Sequence, residues 1–207
     1  APAFAASKAW LAEKHKVTIL CKSSLYTCST AWAQGGIAAV MNENDSVEEH
    51  IKDTISNGHG LCNENAVASI IYQSESSILN LIKLGTKFSM KNGKLDQTLE
   101  GGHTKRRIIY HDDNTGEEIQ KALLNNINNN KNINIIENMM AIDLIGNKDK
   151  QCYGLYAYDA VAKSVKTISS NVTVLATGGA NKVYQYTTNP NTSTGDGIAM
   201  AWRFGCT

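Results

Sequence analysis

Residues 99–107, LEGGHTKRR, set Glu100 beside a Gly101-Gly102 pair, followed by His103, Arg106 and Arg107. An arginine fork reads a carboxylate with two parallel hydrogen bonds, so this cluster is suited to an anionic ligand. The alternative is a solvated basic loop. Three further segments carry glycine in places that suit ligand binding. The run VTVLATGGA ends in Thr177-Gly178-Gly179, and glycines after a parallel strand let backbone approach a ligand at the carboxyl edge of a sheet. A plain tight turn would read the same way. The run TGDG, 194–197, leads into IAMAWRF, which places Asp196 at a helix N-terminus either as a ligand contact or as a simple N-cap. The run STAWAQGG, 29–36, could pass amides and hydroxyls across a flat heterocycle, or be an ordinary glycine loop. His111, Asp112 and Asp113 have metal-like composition without a ligand spacing, so they read as loop polars and no metal is expected.

The elements that position these residues follow from hydrophobic periodicity. Residues 4–15 predict a helix, and 17–21, VTILC, a buried strand of a parallel sheet. A helix before such a strand is the second half of a βαβ unit, so the chain reads as opening inside a motif. Residues 23–44 predict loop and short helix. Asp45 or Ser46 caps a helix whose first turn holds Glu48 and Glu49, in accord with the helix dipole. Residues 64–84 predict one helix ending at Gly85. Residues 86–104 predict loop with short extended pieces, and Thr115 opens a helix to about Asn126. The asparagine-rich run 125–134, NNINNNKNIN, reads as a surface loop. Strands are predicted at 133–137, 140–145, 154–158, 164–168 and 172–176. The middle ones alternate like an antiparallel meander, and the last returns to the parallel sheet. The class is α/β: a Rossmann-type domain with a parallel central sheet and an antiparallel β-meander, incomplete at both ends.

Composition narrows the function. The 207 residues are 42% hydrophobic and 19% charged, and 20 basic against 19 acidic residues leave a net charge of +1. That balance gives no electrostatic footprint for nucleic acid or an anionic membrane. No apolar run approaches the ~18 residues of a membrane span, and the opening residues lack the layout of a secretory signal. Five cysteines without CxxC spacing argue for reduced thiols in a cytosol-like compartment.

Taken together, STAWAQGGIAAV (29–40), DSVEEHIKDT (45–54), EGGHTKRRIIYHDDNTG (100–116), AIDLI (141–145) and VLATGGANKVYQYTTNPNTSTGDGIAMAWRFGC (174–206) resemble the L-aspartate oxidases. These form a branch of the fumarate reductase/succinate dehydrogenase flavoprotein superfamily. The resemblance spans nearly the whole chain. It implies an FAD-binding domain that oxidises L-aspartate to iminoaspartate, with hydride passing to flavin N5 and electrons leaving to oxygen or fumarate. This is the first step toward quinolinate and NAD, with a possible functional link to quinolinate synthase. It further implies that Ser29, Thr30, Gln34, Gly35 and Gly36 line the flavin and that Lys22 lies near the adenosine ribose. Ala141 would present its backbone to the adenine, and Thr177, Gly178, Gly179 and Asp196 would contact FAD. The histidine that tethers FAD covalently in succinate dehydrogenase flavoproteins aligns with Ser29, so the FAD is expected to be non-covalent.

On the same resemblance Glu100 recognises the substrate ammonium, Gly101 and Gly102 shape the pocket, and His103 joins them. The physics agrees. An anion beside a substrate with two negative charges makes sense only if the substrate also carries a cation. An unpaired ammonium in a closed site costs several kcal/mol, which a carboxylate offsets while repelling succinate. Succinate dehydrogenase-type flavoproteins typically carry a non-acidic residue in place of Glu100. The catalytic arginine and histidines of the family, its substrate-capping domain and its helical domain are expected beyond Thr207, so no catalytic acid or base is assigned. Residues 1–207 then form one partial FAD-binding domain. Two other readings stand beside this one: a fumarate reductase/succinate dehydrogenase flavoprotein subunit, and a non-catalytic FAD-domain fragment. The expected home is the cytoplasm, with the plastid as alternative.

Overall fold

The computed structural model describes residues 14–206; the helix expected at 4–15 lies almost wholly outside them. The chain divides into two compact units, the residues up to Trp32 together with those from Leu123 onward, and Ala33–Ala122.

In the first unit β1 (Val17–Leu20) pairs in parallel with β7 (Ile133–Ile136), register Val17↔Ile133 through Leu20↔Ile136, which is the expected parallel sheet. Chain order then gives β8 (Met139–Gly146), β9 (Cys152–Asp159) and β10 (Ser164–Ser169), an antiparallel meander in the order β10-β9-β8. The core gathers Met139, Leu155 and Ala157, with Leu20, Ile136, Ala141, Leu144 and Ile168 packed against it. The register slips between Ala141 and Asp143, leaving Ile142 as the extra residue of a bulge. Helix α5 (Asp196–Phe204) packs on β8. A Cβ on Gly146 would lie 2.3 Å from the Phe204 ring, so only glycine leaves room there. Arg203 caps the contact, donating to the Ile142 carbonyl at 2.8 Å and to Asp143 at 3.1 Å.

Two expectations fail in this unit. The segment 172–176 forms no strand: it has no ladder partner among the described residues, and Val172 and Val174 stay exposed. The asparagine-rich run is not a loop throughout. Helix α4 (Thr115–Asn128) continues to Asn128 and β7 begins at Ile133. Ile127 is 1% exposed among buried Leu123 and Leu124, so packing overrides the weak helix propensity of asparagine.

In the second unit β2 (Ile37–Ala38), β6 (Ile108–Ile109) and β5 (Gln97–Thr98) form a small antiparallel sheet in the order β2-β6-β5. The short helix expected within 23–44 is absent; the chain there turns and then enters β2. Hairpin β3 (Met90–Lys91) to β4 (Lys94–Leu95) closes on Asn92 and Gly93, both at positive φ (51° and 77°), the type I′ turn that an Asn-Gly pair favours. Helix α1 (Val47–Asn57) is capped by Ser46, the second of the two residues the sequence offers, whose Oγ accepts from Glu49 N at 3.1 Å. The single helix expected over 64–84 is two, α2 (Glu64–Tyr72) and α3 (Ser74–Lys83), which meet at Gln73. Gln73 N bonds back three residues to Ile70 O, while Gln73 O accepts from Ser77 N and from the Ser76 and Ser77 hydroxyls, so the second helix starts afresh there.

Candidate functional site

In the first unit, Lys22, Thr177 and Asp196 of the residues singled out from the sequence meet at the start of α5. Lys22 leaves the end of β1 and donates to Asp196 Oδ2 at 2.6 Å and to Thr194 Oγ1. Thr194 Oγ1 in turn donates to Asp196 at 2.9 Å. Asp196 is therefore not the N-cap; Gly195 holds that place at φ +78°, and the carboxylate is turned to Lys22 instead. Burial pushes the Asp196 carboxyl up, but the Lys22 and Thr194 hydrogen bonds and the Lys22 charge together hold it below the usual range.

Thr177 and Ala180 lie against the same helix start. A Cβ on Gly197 would stand 1.8 Å from Thr177 Oγ1, and one on Gly195 2.9 Å from the Ala180 methyl. Between them Gly178 adopts φ +72° and faces open space. Ser29 Oγ donates to Asn189 Oδ1 at 3.0 Å and approaches Ser193 Oγ at 3.5 Å. Thr30 is half-buried beside it in sequence. Ala141 sits on β8, paired with Ala157 just before the bulge.

In the second unit, Gln34 and Gly35 are exposed, and Gly36 is glycine for packing: a Cβ there would come within 2.4 Å of the Ile109 carbonyl oxygen. The Glu100 loop is held by α1. Asn57 Nδ2 donates to Gly102 O at 2.7 Å, and Gly102 turns at φ +84°. Asp53 Oδ2 accepts from Thr104 N and Thr104 Oγ1, both at 2.9 Å, and from Arg107 Nη1 at 2.8 Å. Arg107 also forks onto Asp45, Nε to Oδ2 at 2.8 Å and Nη2 to Oδ1 at 2.7 Å. Arg107 and Asp45 are sealed, at 0% and 1% side-chain exposure, so Arg107 is committed to structure and is not a free fork for a ligand. Arg106 is used as well, donating to Gln97 O at 3.0 Å. Glu100 and Gly101 remain exposed, and His103 is half-buried.

His50 packs its ring 5.6 Å from that of His103, tilted by 59°. It is 5% exposed, and its Nδ1 has no hydrogen-bond partner among the described residues. Burial, then Arg107 and His103, lower its pKa against the opposing pull of Asp45 and Asp53, so it is neutral. His50, Asp53 and Asn57 were given no role by the sequence reading. The signal was there: polar residues at i, i+3 and i+7 form one stripe of a helix.

Burial raises the Asp53 carboxyl, but Thr104 and Arg107 outweigh it and hold the pKa below the ordinary value. The stability this contributes is present at neutral pH and is lost as the pH falls below about 4, where the unfolded chain takes up the proton first. Denaturant unfolding across that range is expected to show a shallower acid loss in Asp53→Asn than in the parent. An equal slope would place the acid sensitivity elsewhere.

The FAD binding domain family model matches residues 3–207. Among curated proteins, L-aspartate oxidase 1 of Ralstonia nicotianae is 45% identical over 205 residues, covering 95% of this chain and 38% of that protein. The L-aspartate oxidase of Yersinia pestis is 45% identical over 207 residues, covering 95% of this chain and 39% of its own length. The chloroplastic L-aspartate oxidase of Oryza sativa subsp. japonica is 40% identical over 191 residues, covering 90% and 30%. Of solved structures, a quinol-fumarate reductase with menaquinol molecules is 28% identical with TM-score 0.91, covering 99% of this chain and 35% of that one. The Mycobacterium smegmatis Sdh1 complex in the apo form is 27% identical with TM-score 0.88, covering 99% and 36%. The chain thus spans under two fifths of the length of these relatives.

Proposed function

The chain belongs to the FAD binding domain family, and from that premise we propose that it is the flavin-holding part of an enzyme that oxidises L-aspartate to iminoaspartate. The observation that carries the substrate is Glu100: an exposed carboxylate on a loop whose basic neighbours, Lys105, Arg106 and Arg107, are engaged with other groups, Lys105 with Glu49 at 3.7 Å. Such a loop offers negative charge without a competing free guanidinium, which favours an ammonium. The relatives point the same way, since the oxidases are 40–45% identical and the fumarate reductase 28%.

The donor set around α5 fits FAD. Lys22, Ser29, Thr194 and Asp196 supply the donors and acceptors that sugar and ribityl hydroxyls require, and Gly178 leaves backbone open to close approach. In this reading Lys22, Ser29, Thr30, Ala141, Thr177, Gly178, Gly179 and Asp196 hold FAD, and Gln34, Gly35 and Gly36 serve the same group on the family resemblance. Bound FAD supplies the acceptor for the substrate hydride. The chain's own part is to hold that group without a covalent bond, because Ser29 offers no histidine nitrogen. Glu100 binds the ammonium, Gly101 and Gly102 shape the loop, and His103 meets a carboxylate. In this reading residues 1–207 belong to one FAD-binding domain. The cell compartment is the cytoplasm, or a plastid, as in the relatives named chloroplastic.

The test is anaerobic addition of L-aspartate, and separately succinate, to the full-length flavoprotein while flavin absorbance is followed. Bleaching by aspartate alone supports the reading. Bleaching by succinate alone moves the protein to the dicarboxylate branch and overturns it. A protein without flavin colour would favour a non-catalytic fragment.

A further inference from the structure

We propose that Arg107 fixes His103 as the neutral tautomer carrying its proton on Nε2, so that the Glu100 loop offers an uncharged N–H donor to a ligand carboxylate. The tautomer follows from geometry within the second unit; the identity of the ligand as an amino dicarboxylic acid rests on the reading above.

A guanidinium has five N–H donors and no acceptor. Arg107 spends Nε and one hydrogen of Nη2 on Asp45, and one hydrogen of Nη1 on Asp53. The same Nη1 lies 3.4 Å from His103 Nδ1. Its remaining hydrogen can be received there only by a lone pair. A proton on Nδ1 would face a cationic N–H with nothing to accept it. The lone pair therefore sits on Nδ1 and the proton on Nε2. The other ionisable groups against this pair are His50, Asp45 and Asp53. His50 is neutral, and both carboxylates are already taken by Arg107, Asp53 by Thr104 as well.

The consequence is selectivity. An imidazolium beside Glu100 would offset the charge that distinguishes an ammonium from a second carboxylate. A neutral donor meets the substrate carboxylate and leaves Glu100 unopposed. Arg107 acts here as a positioning residue, through His103 and without touching the ligand.

The experiment is long-range proton–nitrogen correlation NMR on the full-length flavoprotein, selectively labelled at histidine, with the His103 signals identified by their loss in His103→Gln. At neutral pH the expected pattern is a protonated Nε2 and a bare Nδ1. A proton on Nδ1, or on both nitrogens, overturns the inference. This readout needs no substrate, so it stands or falls apart from the aspartate assignment. In a second arm, His103→Leu is expected to raise KM for aspartate roughly tenfold with little change in kcat. His103→Gln, which restores an N–H near the place of Nε2, recovers most of that loss. Equal losses in the two variants would overturn the donor role.

Discussion

Arg107→Leu is expected to lower the stability of the protein by about 3–5 kcal/mol, the cost of leaving a buried charge without its partner. The arginine is fully buried and satisfies two carboxylates, one of them side-on with both oxygens. Leucine fills part of the volume but takes the guanidinium from Asp45 and Asp53, leaving Asp45 only Ser46 N and Asp53 only Thr104 as donors. Denaturant unfolding of the full-length protein measures the loss. Adding Asp45→Asn to Arg107→Leu removes one stranded charge and should recover part of the stability, a coupling that independent sites would not show. A loss under 1 kcal/mol would mean that water reaches the cluster and that its burial is incomplete.

Glu100→Gln carries the second large effect, this time on chemistry. Losing a charge-assisted hydrogen bond to an ammonium costs about 2–3 kcal/mol, or roughly 30- to 150-fold in kcat/KM for aspartate. Succinate, which on this proposal a carboxylate at Glu100 would repel, should be oxidised no worse and should gain relative to aspartate. The ratio of anaerobic flavin reduction rates for the two acids reads this directly. An unchanged ratio would leave Glu100 an ordinary loop acid. Because Glu100 is exposed, its replacement should leave the unfolding midpoint where it was.

Much of this architecture is legible from local pattern. VTILC announces the parallel strand β1 by its β-branched run, although Thr18 on it is exposed, and of the two caps the sequence offers, Asp45 and Ser46, it is the Ser46 hydroxyl that serves Glu49 N. What pattern misreads is whatever depends on distant partners. Arg106 and Arg107 are adjacent and chemically alike, yet one bonds a carbonyl at the surface and the other is sealed between two aspartates some fifty to sixty residues upstream. The segment 172–176 has the composition of a strand but no ladder partner among the described residues. Residues 64–84 have unbroken helical spacing, yet Gln73 N bonds to Ile70 O, three residues back, and the helix is broken there. The Asn92-Gly93 turn, in contrast, was a local signal passed over. Of the Glu100 loop, the sequence shows the polar cluster but not the face of α1 that holds it, since holding is a matter of contacts and not of residue type.

The asparagine-rich end of α4 bears on how such a sequence can change over time. Asn125, Asn128 and Asn129 are exposed, whereas Ile127 is closed into the core. Mutational drift can therefore rewrite the exposed letters of this stretch freely while purging changes at one. A segment that looks like compositional noise is then an error-tolerant code, in which one character, Ile127, carries the structural message and the exposed ones are free to follow the nucleotide bias of the genome.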